Sequence, residues 1–157
     1  MKVLKFGGTS VGSVAGIKNL NEIARACDKP VVVVVSALGG VTDMLISTAD
    51  SAAAGDEAFR EGMARITLRH HDIIDEVITD SPDTLKVEVD ALLDELASIY
   101  HGLFLIRDLS PKTKALIVSY GERLSSLIVN RLVTDSILHD SRKFIKTEDK
   151  QCKTNKN

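Results

Sequence analysis

Residues 2–10 read Lys-Val-Leu-Lys-Phe-Gly-Gly-Thr-Ser and combine residue types that could bind a phosphate group. A short apolar strand is predicted to end at Phe6, and it leads directly into Gly7 and Gly8. Because glycine has no Cβ, the backbone N–H groups of these two residues can approach a bulky anion. Lys5, close to the end of the strand, would supply a full positive charge. The segment therefore predicts a phosphate-binding turn between a strand and a helix.

The two hydroxyl residues after the glycines, Thr9 and Ser10, are predicted to cap the next helix, whose N-terminus adds partial positive charge. The segment is not a Walker loop, because no lysine follows a glycine at the required spacing. Gly7, Gly8 and Gly12 do not fit the dinucleotide fingerprint Gly-x-Gly-x-x-Gly either. On spacing alone, a tight strand–helix turn without a ligand stays open as the alternative.

A second glycine turn follows the β-branched run Val31–Val35. It contains Ser36, Gly39 and Gly40, and a helix is predicted to open directly afterwards with Thr42 in its first turn. Backbone amides and the Ser36 hydroxyl could bind the oxygen atoms of a small acid, and Thr42 could donate to a carboxylate. The two turns together would suit transfer of a phosphoryl group to a small carboxylic acid.

Glu122 is the candidate partner for an ammonium group on such an acid. Residues 120–123 are predicted to interrupt a helix that starts around Pro111, with Glu122 at the start of the apolar helix that resumes. A carboxylate at a helix start is also what capping of the helix dipole alone would place there. Arg123 could equally be a solvated ion-pair partner. Both interpretations of Glu122 stay open.

The elements that must position these residues follow a strand–loop–helix rhythm, which occurs twice in the first 55 residues and indicates an α/β sheet. A helix is predicted over residues 16–26. The run Val31–Val35 is expected to be a strand buried on both faces of a parallel sheet. Residues 136–139 are predicted to form a third strand. A parallel sheet usually has more strands, so the chain is expected to be an incomplete α/β domain.

The middle of the chain is predicted to be two long helices, over residues 56–78 and from Leu85 to Ile106. The second carries an apolar stripe that repeats by threes and fours, which is typical of a helix seam. The favoured interpretation is a pair of antiparallel helices packing on each other and on the sheet, and a dimer contact is the alternative. The stripe consists of Leu85, Val89, Leu92, Leu96, Ile99, Leu103 and Ile106.

Composition restricts the classes of function. The 157 residues carry a net charge of −2, which does not favour nucleic acid or a membrane surface as a partner. The longest apolar run is too short to cross a bilayer. Cys27 and Cys152 lie far apart and are expected to stay reduced in a cytoplasm, and the four histidines have no spacing typical of a metal site. We therefore expect a cytoplasmic protein without a metal centre.

Four segments resemble the aspartate kinases of the amino-acid-kinase family. Residues 5–11, Lys-Phe-Gly-Gly-Thr-Ser-Val, are similar to the opening signature of these enzymes. Residues 33–43 are similar to their second strand and acceptor loop, and residues 119–125 to their Ser-x-Gly-Glu segment. Residues 140–147 are similar to the segment that follows their third strand. The sequence of these segments is most similar to the N-terminal kinase part of bifunctional aspartokinase–homoserine dehydrogenases.

This resemblance implies a three-layer αβα sandwich around a mainly parallel sheet. It also implies that ATP and Mg²⁺ phosphorylate the side-chain carboxylate of L-aspartate, the first step toward lysine, threonine and methionine. Lys5 would be the catalytic residue that stabilises the transferred phosphoryl group. The phosphate loop would consist of Lys5, Gly7, Gly8, Thr9 and Ser10. The residues in contact with aspartate would be Ser36, Gly39, Gly40, Thr42 and Glu122.

The resemblance covers residues 2–147, which implies the N-terminal, acceptor-side part of such a domain, truncated after roughly its first half, with a helical hairpin inserted. The half that binds adenine and magnesium in the family has no counterpart here, so the isolated chain is expected to be inactive. Residues 148–157 are expected to form a disordered tail.

An open sheet edge and uncovered apolar faces would favour a homo-oligomer, using either that edge or the helix from Leu85 to Ile106. Two other functions stay open. One is a non-catalytic module that binds aspartate or phosphate, or that serves in assembly. The other is an amino-acid kinase acting on glutamate or uridylate.

Overall fold

The computed structural model describes residues 1–27 and 30–145, and within these ranges it consists of two parallel strands, five α-helices and one 3₁₀ turn. The first strand and helix are β1 (Lys2–Phe6) and α1 (Val14–Ala26), followed by β2 (Val31–Val35). The helices α2 (Val41–Ala53), α3 (Ala58–Val77), α4 (Pro82–Ile106) and α5 (Pro111–Leu132) come next, and the 3₁₀ turn covers Ser141–Lys143. The expected tail, residues 148–157, lies outside the described residues, as does Cys152.

The sheet is a β1–α1–β2 unit, in which the helix carries the chain back so that the two strands run parallel. Lys2 lies opposite Val31, and the register continues to Phe6 opposite Val35. Both strands therefore end at the same edge, and each is followed by one of the two glycine turns. This is the α/β arrangement that the sequence predicts.

Only one face of this sheet is covered. Phe6 is buried and Val33 and Val35 pack against the core, whereas Val3 and Val32 on the opposite face are 62% and 43% exposed. The expectation that Val31–Val35 is buried on both faces is therefore wrong. The reason is that the described helices supply apolar side chains to one side of the sheet only.

The predicted third strand, residues 136–139, is also wrong. These residues are irregular and exposed, and the Ile137 side chain is 80% accessible to solvent. The Ser136 hydroxyl donates to the carbonyl oxygens of Asn130 and Val133 at distances of 2.9 Å and 2.7 Å. These local bonds fold the chain back onto the end of α5, so the segment does not extend along the sheet.

The long helices α3 and α4 form the expected antiparallel pair. Two polar pairs join the helices. The His71 Nε2 atom lies 2.7 Å from the Asp90 Oδ1 atom, and the Lys86 Nζ atom lies 2.6 Å from the Asp75 Oδ1 atom. The apolar stripe of α4 is mostly buried within the chain, where α4 packs against α2, α3 and α5, and Tyr100 donates to the Leu45 carbonyl at 3.0 Å. The stripe is thus an intramolecular seam, although it packs on helices and not on the sheet.

Helix α5 is continuous from Pro111 to Leu132, so the predicted interruption at residues 120–123 is wrong. Its start is as expected, because Pro111 occupies the first turn and the Ser110 side chain accepts from the Thr113 amide at 3.1 Å. The glycine at 121 is a packing residue and does not end the helix. Glu122 therefore lies in the middle of a helix and cannot cap one.

Candidate functional site

The first glycine turn leaves several hydrogen-bond donors without a partner. The Gly7 carbonyl accepts from the amides of Ser10 and Val11 at 2.9 Å and 3.1 Å, and the Val11 side chain is fully buried. Gly8 and Thr9 take part in no hydrogen bond within residues 1–27 and 30–145. The turn is therefore anchored at its two ends, while the amides between them can bind an anion.

The N-cap of α1 differs from the one that the sequence predicts. Ser13, and not Thr9 or Ser10, is the N-cap, and its hydroxyl accepts from the Gly16 amide at 3.1 Å. The turn between β1 and α1 is longer than a minimal strand–helix connection, so the cap lies three residues beyond Ser10. The hydroxyl groups of Thr9 and Ser10 are consequently not used by the helix.

Lys5 lies on the uncovered face of the sheet, opposite Val34 in the register. Its side chain is exposed and makes no ion pair with the described part of the chain. Lys5 precedes Gly7, the first residue of the turn, by two positions in the sequence. A lysine without an ion pair among the described residues, two positions before a turn with unpaired amides, suits a phosphate more than a structural ion pair.

The second glycine turn joins the end of β2 to the start of α2. The Ser36 amide continues the pairing of the strands by donating to the Phe6 carbonyl at 3.1 Å. Gly40 is the N-cap of α2 with a φ of +82°, a conformation that side chains rarely adopt. No side chain caps α2. The Val41 amide donates to the Leu38 carbonyl at 3.0 Å, whereas the next two amides, those of half-buried Thr42 and of Asp43, stay open.

The two turns are in direct contact through their backbones. A Cβ on Gly39 would lie 2.9 Å from the Gly12 Cα, and a Cβ on Gly12 would lie 2.7 Å from the Gly8 carbonyl oxygen. Such distances leave no room for a side chain, which explains why the sequence has glycine at both positions. The structure thereby brings the residues predicted to bind phosphate and those predicted to bind the acceptor to one edge of the sheet, at the carboxyl ends of its strands.

Helix α5 is docked on the second turn, and this contact positions Glu122. A Cβ on Gly121 would lie 2.7 Å from the Ala37 Cβ, so the helix and the turn touch at this point. The Ser125 hydroxyl donates to the Ser36 carbonyl at 2.7 Å. Sequence reasoning missed Ser125, since a serine within an apolar helix carries no signal for a contact with a turn 89 residues away.

The Glu122 side chain lines a cavity of about 490 Å³ between α4, α5 and residues 138–142. Arg123 and Arg142 also line it, but the acceptor-loop residues Ser36, Gly39, Gly40 and Thr42 are not among its lining residues. The structure thus places the backbone of Glu122 beside the second glycine turn, while its side chain borders a neighbouring cavity.

The charges in this cavity are partly paired. Arg142 donates to the Asp140 carboxylate at 2.9 Å, and this interaction lowers the Asp140 pKa to about 2. Arg123 lies over the Tyr120 ring at 4.3 Å and contacts Glu95 at 3.4 Å. Glu122 makes no ion pair with the described residues. Its carboxylate is therefore available to a cationic group.

Among the described residues, no group of three or more His, Cys, Asp or Glu side chains could hold a metal ion. The donors around the two turns are backbone amides, hydroxyls, Lys5 and the Arg69 guanidinium, and these suit anionic oxygen and not a cation. Within the same residues, no helix is both long and apolar enough to cross a membrane.

Comparison with known proteins gives one consistent family. The sequence pattern described as "Amino acid kinase family" matches residues 1–153. The chain is 29% identical to aspartokinase 2 of Arabidopsis thaliana, covering 94% of this chain and 28% of that protein. It is 34% identical to the aspartokinase of Chlamydia trachomatis, covering 81% of this chain and 26% of that protein. The chain thus spans roughly a quarter of the length of these relatives.

A solved structure supports the same assignment. The crystal structure of Escherichia coli aspartokinase III in complex with aspartate and ADP matches with a TM-score of 0.74 and 26% identity. The match covers 84% of this chain and 28% of that one. This likeness agrees with the α/β fold that the sequence predicts, although the described sheet has two strands and one uncovered face.

Proposed function

The chain belongs to the amino acid kinase family, and we propose that it carries the phosphate loop and the acceptor loop of an aspartate kinase. In this proposal, residues 1–147 are the acceptor-side part of a domain that phosphorylates the side-chain carboxylate of L-aspartate with ATP. The observation that carries it is the contact between the two glycine turns at Gly12 and Gly39, with unpaired donors on both sides.

The first turn would bind the phosphate groups. The Gly8 and Thr9 amides are free to donate to phosphate oxygens, and the hydroxyls of Thr9 and Ser10 are not engaged in capping α1. Lys5 would neutralise the charge on the transferred phosphoryl group, which is the main requirement of this reaction. ATP would supply that group when bound. We assign no Mg²⁺ ligand, because the described residues contain no cluster of metal-binding side chains.

The second turn would bind aspartate. Its carboxylates would accept from the Ser36 hydroxyl, the Gly39 and Gly40 amides and Thr42, where the uncapped N-terminus of α2 adds partial positive charge. The unpaired carboxylate of Glu122 would bind the ammonium group. Helix α5 would hold Glu122 in place through the contacts of Gly121 and Ser125 with the turn.

A non-catalytic module that binds aspartate or phosphate is the second candidate. It would rest on the same unpaired donors of the two glycine turns. Both candidates use the same turns, and both predict binding of aspartate by the isolated chain. ATP consumption that depends on aspartate would distinguish the kinase, whereas binding without turnover would favour the module.

We also propose that the chain associates with copies of itself through the open edge of the two-stranded sheet, beside its uncovered apolar face. Val3, Val32 and Val34 on this face are 62%, 43% and 44% exposed. The alternative surface, the stripe of α4, is largely buried in the core of the chain and cannot serve this purpose without unfolding.

Calorimetric titration with L-aspartate, with L-glutamate as the control ligand, tests the proposed substrate site. Glu122→Gln removes the charge and retains the shape, so we expect aspartate binding at least about tenfold weaker, in line with loss of a charged hydrogen bond. Glu88 lines the same cavity from α4, and Glu88→Gln should leave the affinity unchanged. Equal effects of the two variants would contradict the assignment of Glu122, and equal binding of glutamate and aspartate would contradict L-aspartate as the substrate.

A further inference from the structure

We propose that Arg69 is a positioning residue that holds the two glycine turns in register, an inference that rests on the proposed function of these turns. The Arg69 Nη2 group donates to the Gly12 carbonyl oxygen at 2.6 Å. The two residues are 57 positions apart, and this bond joins the middle of α3 to the first glycine turn. Because the guanidinium group is always charged, the bond is of the strong, charge-assisted kind.

Gly12 is the residue through which both turns can be held. Its backbone packs against the Gly39 backbone of the second turn and against the Gly8 carbonyl of the first. It also comes directly before Ser13, which caps α1. Fixing the Gly12 carbonyl therefore limits the movement of the phosphate side and the acceptor side relative to each other.

Helix α3 is a rigid support for this interaction. Ile66 and His70, which flank Arg69 on the helix, are fully buried, and Ile73 one turn later is nearly so. Arg69 itself is half-buried and cannot sweep freely through solvent. A donor mounted on a buried helix loses little additional freedom when it binds the turn.

The charges near Arg69 favour this role over direct contact with an anionic substrate. Arg69, Gly12 and Ser13 line a second cavity of about 410 Å³, together with Asp72 and Glu76 from the same helix. These carboxylates would repel a phosphate or aspartate ligand in this cavity, and they balance the guanidinium charge. Arg69 therefore acts on the site through the backbone of Gly12 and not by contact with the ligand.

Hydrogen exchange measured by mass spectrometry tests the proposal on the full chain. In Arg69→Met we expect the amides of Ser10 and Val11, which donate to the Gly7 carbonyl, to exchange about tenfold faster, because the turn that holds them loses a charge-assisted hydrogen bond. Arg69→Lys retains a donor and should restore part of the protection. Arg65→Met is the matched control, because Arg65 is exposed and lies one turn earlier on α3. In this variant the amides of the first glycine turn should exchange as fast as in the original chain.

The outcomes separate this proposal from the proposed function. Faster exchange limited to the glycine turns in Arg69→Met, with partial restoration in Arg69→Lys, supports it whether or not the chain binds aspartate. Unchanged exchange of the Ser10 and Val11 amides, or an equal increase across α3, α4 and α5, would overturn it, because Arg69 would then have no specific effect on the turns. A chain that binds no aspartate, with the exchange result as expected, would contradict the proposed function alone.

Discussion

Replacing a glycine with alanine should change the free energy of unfolding differently at two positions within helices. The difference tests the contact between α5 and the acceptor turn. Gly102 lies within α4, and a Cβ added there would meet no atom within 4 Å. Gly121 lies within α5, and a Cβ added there would lie 2.7 Å from the Ala37 Cβ and 3.3 Å from the Leu45 Cδ1. Helix propensity favours alanine at both positions, so only the packing differs.

The magnitudes follow from these distances. Gly102→Ala should raise the free energy of unfolding by up to about 1 kcal/mol, the usual gain from replacing glycine within a helix. Gly121→Ala gains the same amount, but it forces the helix away from the turn, and overpacking in a dense core costs about 1–3 kcal/mol. We therefore expect the two variants to differ by roughly 1–3 kcal/mol, with Gly121→Ala the less stable.

Urea unfolding followed by circular dichroism measures the difference directly, because a change of midpoint at constant slope reports a change of stability. Gly121→Ala should also weaken aspartate binding, since the turn that it displaces carries Ser36 and Gly40. If Gly121→Ala were as stable as Gly102→Ala, the close contact between α5 and the turn would not exist. The position proposed for Glu122 would then lose its support.

Three further predictions concern the core, the acceptor turn and the uncovered sheet face. Burial lowers the His70 pKa from 6.5 to about 4, so the unfolded state gains a proton first as the pH falls from 6.5 to 4. As the pH falls over that range, the free energy of unfolding should decrease by about 1.4 kcal/mol per pH unit. The variant His70→Leu should flatten this slope, whereas His101→Leu, at an exposed position, should not. Ser125→Ala removes the donor to the Ser36 carbonyl, and unfolding experiments should show a loss of about 1–2 kcal/mol together with weaker aspartate binding. Val34→Thr, at an exposed position of the sheet, should reduce the mass measured by light scattering without lowering stability, and a chain that is monomeric at all concentrations would contradict self-association.

The parts of the fold that depend on local pattern could be predicted from the sequence. The glycine turns follow short β-branched or apolar runs, so β1, β2 and the start of α2 are predictable from adjacent residues. The α3–α4 pair is equally clear, because its apolar periodicity extends over many turns. These segments also carry the candidate residues from Lys5 to Thr42.

Where the prediction is wrong, a contact distant in sequence decides the outcome. Gly121 looks like a helix break, but α5 continues through it because the missing side chain lets the helix touch Ala37. Residues 136–139 have the composition of a strand, but the hydrogen bonds of Ser136 hold them at the end of α5. The bond from Arg69 to Gly12 has no local signature at all.

The most direct test of the central claim is a titration of the chain with L-aspartate, monitored by the NMR signals of the backbone amides. The claim is that the two glycine turns form one site, so saturable shifts should occur at Gly39 and Gly40 and extend across the contact to Gly12 and Gly8. Addition of inorganic phosphate should shift the first turn most strongly. A folded chain whose turn amides do not move with either ligand, or whose shifts lie elsewhere, would contradict the account.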